Sequence, residues 1–504
     1  DEITVFLRFP SFFSNEKKVI EEKTDIDKIK LACGILLNNE VIAIKGIGGF
    51  HLAALTTQDG IINLRETVKR KHKPFAVMCK DLNMIKSICY VNNKEEELLT
   101  SKERPIVILK KINNSEFKDV SELNSLGIML PYTGLHYLLF DFINQPIILT
   151  SSNISDEPIT STLDEQYTNV ILNHNRKIEN PIDDSLVKVI SDKTFLIRRS
   201  RGFVPRSITM ESNIKKQILA LGAEMSNTFC IYKENKATLS QYLGTTSNPL
   251  TLEYFKKTVR KFLQFTNTNP DLILCDLHPG YYTTQFAKEL SKELKIPLIQ
   301  IQHHKAHAFS AAYENGFNDF ISIVCDGLGF GEDSTIWGGE IFHNNERVGH
   351  LEYQNQLGGD SAAAYPAKML FSILRNFLKK EDSLKYLRDY YSISEIEILD
   401  KQLANKFNCP KTSSCGRILD AASFLLGFCD ERTYEGRPAM LLESNSSIPL
   451  DINPVIENNI LLTTPLFKFI IEHFDKDKSI LAATVQKYLA VGLYEIAKQY
   501  NKPI

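Results

Sequence analysis

The chain has 504 residues, 43% hydrophobic and 24% charged, which is the composition of a soluble globular protein and room for several domains of about 100–200 residues. Its net charge of -2, from 59 Lys and Arg against 61 Asp and Glu, argues against a chain whose main task is neutralising a phosphate backbone. No apolar run approaches the ~18 residues of a membrane span, and the 9 cysteines, none in a C-x-x-C pair, read as reduced thiols of a cytoplasmic protein.

Residues 1–22, aromatic and then charged, read as an irregular connector. Helical spacing from Leu31 to Leu37 precedes the apolar run Val41-Ile-Ala-Ile44, which suits a buried strand. A helical stretch over 61–71, strands at 75–78 and 106–109, a helix after His136 and a strand at 146–150 follow. This alternation predicts an α/β sheet, closing near Arg206. A second unit opens with strands at 217–221, 228–232 and 237–241, the start of a β-meander, and continues with strands at 272–275, 297–301 and 320–325. From about Leu351 to Tyr488 the pattern is mostly helical. The chain begins at Asp1 and ends as Lys502-Pro-Ile504 reads like the entry to a strand, so a piece cut at both ends is expected.

Four clusters in the first unit are suited to an anionic ligand. In Lys45-Gly-Ile-Gly-Gly-Phe-His51 a glycine turn after a strand can present N–H groups to phosphate, although a tight turn needing positive φ reads the same way. Lys69-Arg-Lys-His-Lys-Pro74 gathers cations before a strand, as a solvated helix end also would. Thr150-Ser-Ser-Asn153 closes a strand at its C-terminal end, where open α/β sheets place ligands and where helix caps also occur. The fourth cluster is Arg198-Arg-Ser-Arg-Gly202. Their order resembles the YrdC-like fold, and the wording of residues 45–53, 126–139, 180–187 and 198–206 resembles its version in the hydrogenase maturation carbamoyltransferase (HypF) family.

In the second unit His303-His-Lys-Ala-His307 opens a helical pattern, and at i and i+4 His303 and His307 share a face and can share a metal. Capping or packing histidines are the ordinary alternative. Asp326 is expected to end the next strand within Cys325-Asp-Gly-Leu-Gly-Phe-Gly331, beside a glycine-rich hairpin. With residues 222–230, 276–281, 358–360, 413–422 and 434–440, this resembles the TsaD-like, actin-like ATPase domain in its HypF version. The fold class implied is α/β: a YrdC-like twisted domain over 23–210, then a TsaD-like, RNase H-type domain over 216–504 with a largely helical insertion and an incomplete C-terminus.

The resemblance implies an ATP-dependent carbamoyltransferase. Carbamoyl phosphate yields carbamate in an acylphosphatase part not seen in this sequence. The YrdC-like domain then joins carbamate to ATP, giving carbamoyl-adenylate and pyrophosphate, and the TsaD-like domain passes the carbamoyl group to the C-terminal cysteine of the partner HypE, releasing AMP. Implied catalytic residues are Lys69, Arg70, Lys73 and Arg201 around the triphosphate, with Ser151 and Asn153 orienting carbamate. Implied nucleotide-binding residues are Lys45, Gly48, Gly49, Gly222, Asn227, Thr228, Gly327, Gly329, Gly358, Gly359, Asp360, Gly416 and Asp420. His303, His307 and Asp326 would hold one divalent metal, zinc or iron, in addition to the Mg2+ that accompanies ATP. Double-stranded RNA binding is expected only as a family-level property, and no DNA or membrane partner is expected. Ser226 stands where the family places a lysine, and Lys305 where it usually places a histidine. Three other readings remain. A threonylcarbamoyladenosine tRNA enzyme uses the same fold pair but needs a basic surface, and residues 41–206 are only weakly basic. An antibiotic O-carbamoyltransferase has the opposite domain order. A silent HypE-docking module would catalyse no pyrophosphate exchange.

Overall fold

Strands that read as unbroken apolar runs are covered on both faces, and the first sheet shows how. In the computed structural model, which describes residues 3–8, 17–20, 24–153, 157–162, 168–387 and 390–504, strands Ile42–Lys45 and Phe50–Leu55 pair antiparallel. Side chains alternate across them: Ala43, Phe50, Leu52 and Ala54 enter one core, and Ile42, Ile44, Ala53 and Leu55 the other. Helix Asp25–Leu37 covers the second core with Ile29, Ala32, Cys33 and Leu36, and helix Gln58–Val68 covers the first with Ile61, Leu64 and Val68. Thr24 and Thr57 start these helices, their hydroxyls accepting from the Asp27 and Gly60 N–H groups at 3.2 Å.

Two compact units emerge: Asp1–Cys275 with Pro279–Ile299, and Asp276–His278 with Gln300–Ile504. Residues 210–216, between the two domains expected from the sequence, fall inside the first of these units. That unit holds a mixed sheet whose described strands run, in spatial order, Lys193–Arg198, Leu186–Ile190, Ile106–Lys110, Ser125–Met129, Ala76–Met78, Ile147–Ser151, Phe50–Leu55, Ile42–Lys45, Val170–His174, Ile3–Arg8 and Lys17–Ile20. The irregular connector expected over 1–22 is corrected for its described residues. Ile3–Arg8 pairs antiparallel with both Val170–His174 and Lys17–Ile20, because Val5 drops fully buried into the core and the edge beside Val170–His174 takes a backbone partner. Register sets His51 opposite Ser151 and Val187 beside Val107, drawing separate motif stretches together. The predicted meander is present in the same unit: Ile218–Ala220, Cys230–Lys233 and Lys236–Leu239 pair in turn antiparallel. Its core of Leu219, Phe229, Ile231, Phe255 and Val259 is closed by helix Pro249–Phe265, which Asn248 caps.

In the second unit Ile321–Phe330, Ile336–His343 and Glu346–Leu351 form an antiparallel sheet. Helices Pro366–Leu374, Cys415–Leu425 and Lys478–Ala497 supply Leu370, Phe371, Ile418 and Tyr488 to its main core. Helix His303–Glu314 packs Ala308 and Ala312 with Val324, Trp337 and Phe342. Asp326 does not end its strand. The strand runs on to Phe330, with Cys325 opposite Gly339 and Gly329 opposite Trp337, so Asp326, Gly327 and Leu328 bulge out against the single Gly338. A Cβ on Gly338 would lie 2.7 Å from the Asp326 carbonyl, which is why a glycine sits beneath the bulge. Among the described residues no helix is long and apolar enough to cross a membrane.

Candidate functional site

The bulge aims Asp326 at the helix that begins with His303. His303 and His307 Nε2 stand 3.2 Å apart, and His303 Nε2 is 3.2 Å from Asp326 Oδ2. Ligand atoms of His303, His307 and Asp326 all lie within 4.8 Å of one another. Two imidazole nitrogens and a carboxylate oxygen facing each other at this spacing repel through their lone pairs unless a proton or cation stands among them. Tetrahedral bonds of about 2.0–2.2 Å put neighbouring ligand atoms roughly 3.3–3.5 Å apart, so a divalent metal fits this donor set. Burial alone would lower the His303 pKa, but Asp276 and Asp326 carry it up to about 9. Burial and the neighbouring His303 hold His307 down. Burial would raise Asp326, yet His303 and His304 hold its carboxyl well below the usual carboxylate range.

Asp276 and His304 lie in stretches quoted for the resemblance, but the sequence assigns neither a role at the site. Asp276 and His303 meet because they leave the C-terminal ends of adjacent strands: the Leu277 N–H donates to the Ile301 carbonyl at 2.9 Å, and His303 Nδ1–H donates to Asp276 Oδ2 at 2.7 Å. A carboxylate closing a strand just before Leu277-His-Pro-Gly280 was the available signal. His304 is fully buried against the bulge, and a Cβ on Gly329 would lie 2.3 Å from its Cε1. Gly329 is thus accounted for by His304 rather than by a nucleotide. Gly327 and Gly416 are explained by a close crossing, since a Cβ on Gly416 would lie 3.1 Å from Gly327 Cα. There the Ser414 hydroxyl accepts from the Arg417 N–H at 3.1 Å and donates to the Gly327 carbonyl at 2.8 Å, pinning helix Cys415–Leu425 to the bulge. Asp420, expected at a nucleotide, is buried and ion-paired to Arg417 at 2.7 Å; burial pushes its carboxyl up against that pull. Gly358 and Gly359 have positive φ, 85° and 57°, making a left-handed turn that leaves Asp360 exposed.

In the first unit the structure brings together Arg70, Ser151 and Asn153. Arg70 donates to Thr150 Oγ1 at 3.2 Å, to the Asn153 carbonyl at 3.1 Å and to Asn153 Oδ1 at 3.3 Å. Ser151 Oγ donates to Asn153 Oδ1 at 2.6 Å. Lys69 is exposed and closes helix Gln58–Val68 in the left-handed conformation (φ 52°); Lys73, also exposed, is a cationic neighbour of Asp183. The glycine turn is not spread open for an anion. Lys45 Nζ donates to the His174 carbonyl at 2.9 Å, the Gly46 N–H to the Gly49 carbonyl at 2.8 Å, and the Ile182 N–H to the Gly48 carbonyl at 2.8 Å. None of Gly46, Gly48 or Gly49 is among the described positive-φ glycines. Gly48 and Gly49 are required by packing, since Cβ atoms there would lie 2.3 Å from the Ile182 carbonyl oxygen and 2.5 Å from Ile159.

Arg201 also departs from its expected place at the triphosphate. Its Nε binds Asp184 at 2.6 Å, Nη1 the Glu103 carbonyl at 2.9 Å and Nη2 the Arg104 carbonyl at 2.8 Å, while the guanidinium lies 3.7 Å over the Tyr132 ring. Tyr132 meets His136 edge-on at 4.5 Å, and Asp184 Oδ2 is 3.3 Å from His51 Nε2. One or two residues from each of the four HypF-like stretches thus form a single buried cluster. Burial would raise Asp184, but Arg201 and His51 hold it well below its ordinary value, and burial pulls His136 down to about 3. A third set, Gly222, Asn227 and Thr228, meets at one turn. Gly222 has φ 67°, its missing Cβ clears the Thr228 carbonyl, and Asn227 Nδ2 donates to the Leu221 and Ala223 carbonyls. Ser226 is exposed beside it, also left-handed at φ 48°.

A twisted α/β domain leading into a second domain that carries a histidine and carboxylate cluster is the arrangement of a YrdC-like domain joined to a Kae1-like one. Residues 34–200 match the family described as telomere recombination (the Sua5, YciO and YrdC family). Residues 213–314 match the HypF Kae1-like domain, and 322–503 the second subdomain of the carbamoyltransferase Kae1-like domain. The chain is 41% identical over 97% of its length to the probable carbamoyltransferase HypF of Methanocaldococcus jannaschii, and 32% identical over 94% to carbamoyltransferase HypF of Synechocystis. It spans 66% of the length of each of these relatives. The crystal structure of T. kodakarensis HypF superposes with a TM-score of 0.92 at 33% identity, covering 99% of this chain and 68% of that one. A full-length HypF in a phosphate- and nucleotide-bound form superposes at 0.89, with 31% identity over 99% of this chain and 66% of that one. The chain belongs to the HypF carbamoyltransferase family.

Proposed function

We propose that this chain carries two successive sites of a cytoplasmic hydrogenase-maturation carbamoyltransferase. The first unit joins carbamate to ATP, and the second transfers the carbamoyl group to the C-terminal cysteine of HypE. The observation that carries the reading is the convergence of His303, His307 and Asp326 within 4.8 Å in a chain of this family. The nucleotide-bound relative supports a nucleotide substrate, which in this reading is ATP with Mg2+.

In the first step a carbamate oxygen attacks the α-phosphorus of ATP, the bond to the bridging oxygen breaks, and pyrophosphate leaves. Arg70, with the exposed Lys69 and Lys73, offsets the charge that builds on the phosphates. Ser151 turns its hydroxyl from Asn153 to carbamate, while Asn153, held by Arg70, fixes the planar group in line. Arg201 acts from behind by holding Asp184 and the neighbouring carbonyls in place. In the second step the cysteine thiolate attacks the carbamoyl carbon and AMP leaves. Gly222, Asn227, Thr228, Gly358, Gly359 and Asp360 belong to turns that shape nucleotide-binding surfaces in this reading. A zinc or iron ion bound by His303, His307 and Asp326 would supply Lewis-acid polarisation of the adenylate.

The test uses the full chain with ATP, radiolabelled pyrophosphate and carbamate from ammonium bicarbonate. Carbamate-dependent exchange is expected, with transfer to a peptide ending in the HypE cysteine. His303→Ala and His307→Ala should abolish transfer and leave exchange intact; loss of both together would refute the division of labour. Exchange that requires threonine would refute the carbamate reading.

A further inference from the structure

His303 and His304 are sequence neighbours, yet their hydrogen bonds give the two rings opposite orientations of donor and acceptor. His303 Nδ1–H donates to Asp276 at 2.7 Å, so Nε2 is the nitrogen turned toward His307 and Asp326. Gln302 imposes the reverse on His304. Its Oε1 accepts from the Lys305 N–H at 3.0 Å and its Nε2 donates to the Phe330 carbonyl at 3.1 Å, which settles the two ends of the amide. The same Nε2 lies 3.0 Å from His304 Nδ1. His304 Nδ1 is therefore an acceptor, and the ring proton sits on Nε2. That buried nitrogen has no partner within ordinary hydrogen-bond geometry and points at Asp326 Oδ2 from 3.5 Å. A nitrogen bearing its proton cannot also donate a lone pair to a cation.

We propose that Asp276 and the Gln302–His304 pair are positioning residues for a divalent cation: Asp276 turns His303 Nε2 inward, and His304 steadies the Asp326 carboxylate through Nε2–H without ligating. The proposal rests on the metal reading of His303, His307 and Asp326. It also gives Gly329 a reason, since its missing side chain leaves the space that the His304 ring occupies. Lys305 takes no part: its ammonium pairs with Glu332 at 2.6 Å, away from the cluster. The i, i+1 spacing of His303 and His304 explains the division, because successive helical residues project about 100° apart. One ring points to the partly open cluster and the other into the packed bulge.

The test is zinc binding by the full chain, measured by competition with a chromophoric chelator, together with 15N spectra of histidine-labelled protein. Asp276→Ala should weaken zinc about 10–100-fold, whereas Asp276→Asn, whose amide oxygen still accepts from Nδ1–H, should lose less. His304→Leu should weaken zinc, and His304→Gln, which retains a donor, should recover part of the loss. In the zinc-loaded wild type, His303 and His307 should each show a metal-bound Nε2, and His304 a protonated Nε2. Failure of the wild type to take up zinc overturns the metal reading and this proposal with it. Zinc uptake that Asp276→Ala changes by less than twofold overturns the proposal alone. A metal-bound His304 ring overturns it as well, and the wild-type spectra decide this even if a variant does not fold.

Discussion

Arg201→Ala separates a structural cation from a phosphate ligand. The substitution deletes the 2.6 Å bond to Asp184, the bonds to the Glu103 and Arg104 carbonyls, and the guanidinium face on Tyr132. Asp184, with a side chain 5% exposed, is left with His51 at 3.3 Å in place of a fixed cation. Removing one partner of a buried ion pair costs about 3–5 kcal/mol, because the remaining charge stays out of water. That is a large share of the about 5–15 kcal/mol by which a domain is stable. Urea unfolding followed by far-ultraviolet circular dichroism, with hydrogen exchange of peptides from the first unit, should show a loss of this size confined to that unit. Arg201→Lys keeps the charge but not the fork that reaches two carbonyls and a carboxylate at once, so it should recover only part of the loss. Unchanged unfolding with lost ATP binding in Arg201→Ala would refute this account and return Arg201 to the triphosphate.

Burial pulls the His136 imidazole down to about 3 from its ordinary 6.5. As pH falls from 6.5 the unfolded chain takes up the proton first, so the folded first unit should lose about 1.4 kcal/mol per pH unit, roughly 2 kcal/mol by pH 5. Asp184, depressed from 3.8, contributes stability that is lost in the same direction, but only below that value. His136→Leu should lower the slope of the midpoint against pH between 5 and 6.5 by up to one proton; an unaltered slope contradicts the assignment. Arg70→Ala should slow carbamate-dependent pyrophosphate exchange on the order of 10²-fold, with little change in urea midpoint, since it removes a donor from developing phosphate charge. Gly48→Ala drives a methyl against the Ile182 carbonyl oxygen, 2.3 Å away, and should destabilise the first unit by about 1–3 kcal/mol. A rise in the Kd for ATP without a change in unfolding would contradict the packing role.

How much of this was readable follows from what each signal depends on. Ile42–Lys45 and Ile147–Ser151 show as apolar runs because both of their faces are buried, a local property. Ile3–Arg8 is a strand because Val170–His174 lies beside it, and no spacing in the sequence announces a partner so distant along the chain. The His303 and His307 pair is legible because i and i+4 fix one helix face. Asp276 is not, because its encounter with His303 depends on which strands are adjacent. The first-unit stretches were readable as a set, but spacing does not reveal facing. Arg70 of the 69–74 run reaches Asn153, whereas Arg201 of the later run turns inward to Asp184.

Asp184 and Asp326 show what distinguishes a buried polar cluster that holds the fold from one that can bind. Both carboxylates sit where burial alone would neutralise them, and both are held low by neighbours on the chain. At Asp184 the chain provides the cation, and each nitrogen of Arg201 already has a carboxylate or carbonyl acceptor. Every guanidinium nitrogen is thus engaged within the protein, and the side chains are 12% and 5% exposed. At Asp326, among the described residues, no lysine or arginine is ion-paired to the carboxylate, two histidines turn Nε2 atoms toward it, and the facing side chains of His303 and Asp326 are 18% and 29% exposed. The cluster whose nearest cationic partners are imidazoles, which can give up a proton, and which keeps a route to solvent is the one whose geometry suits a cation from outside.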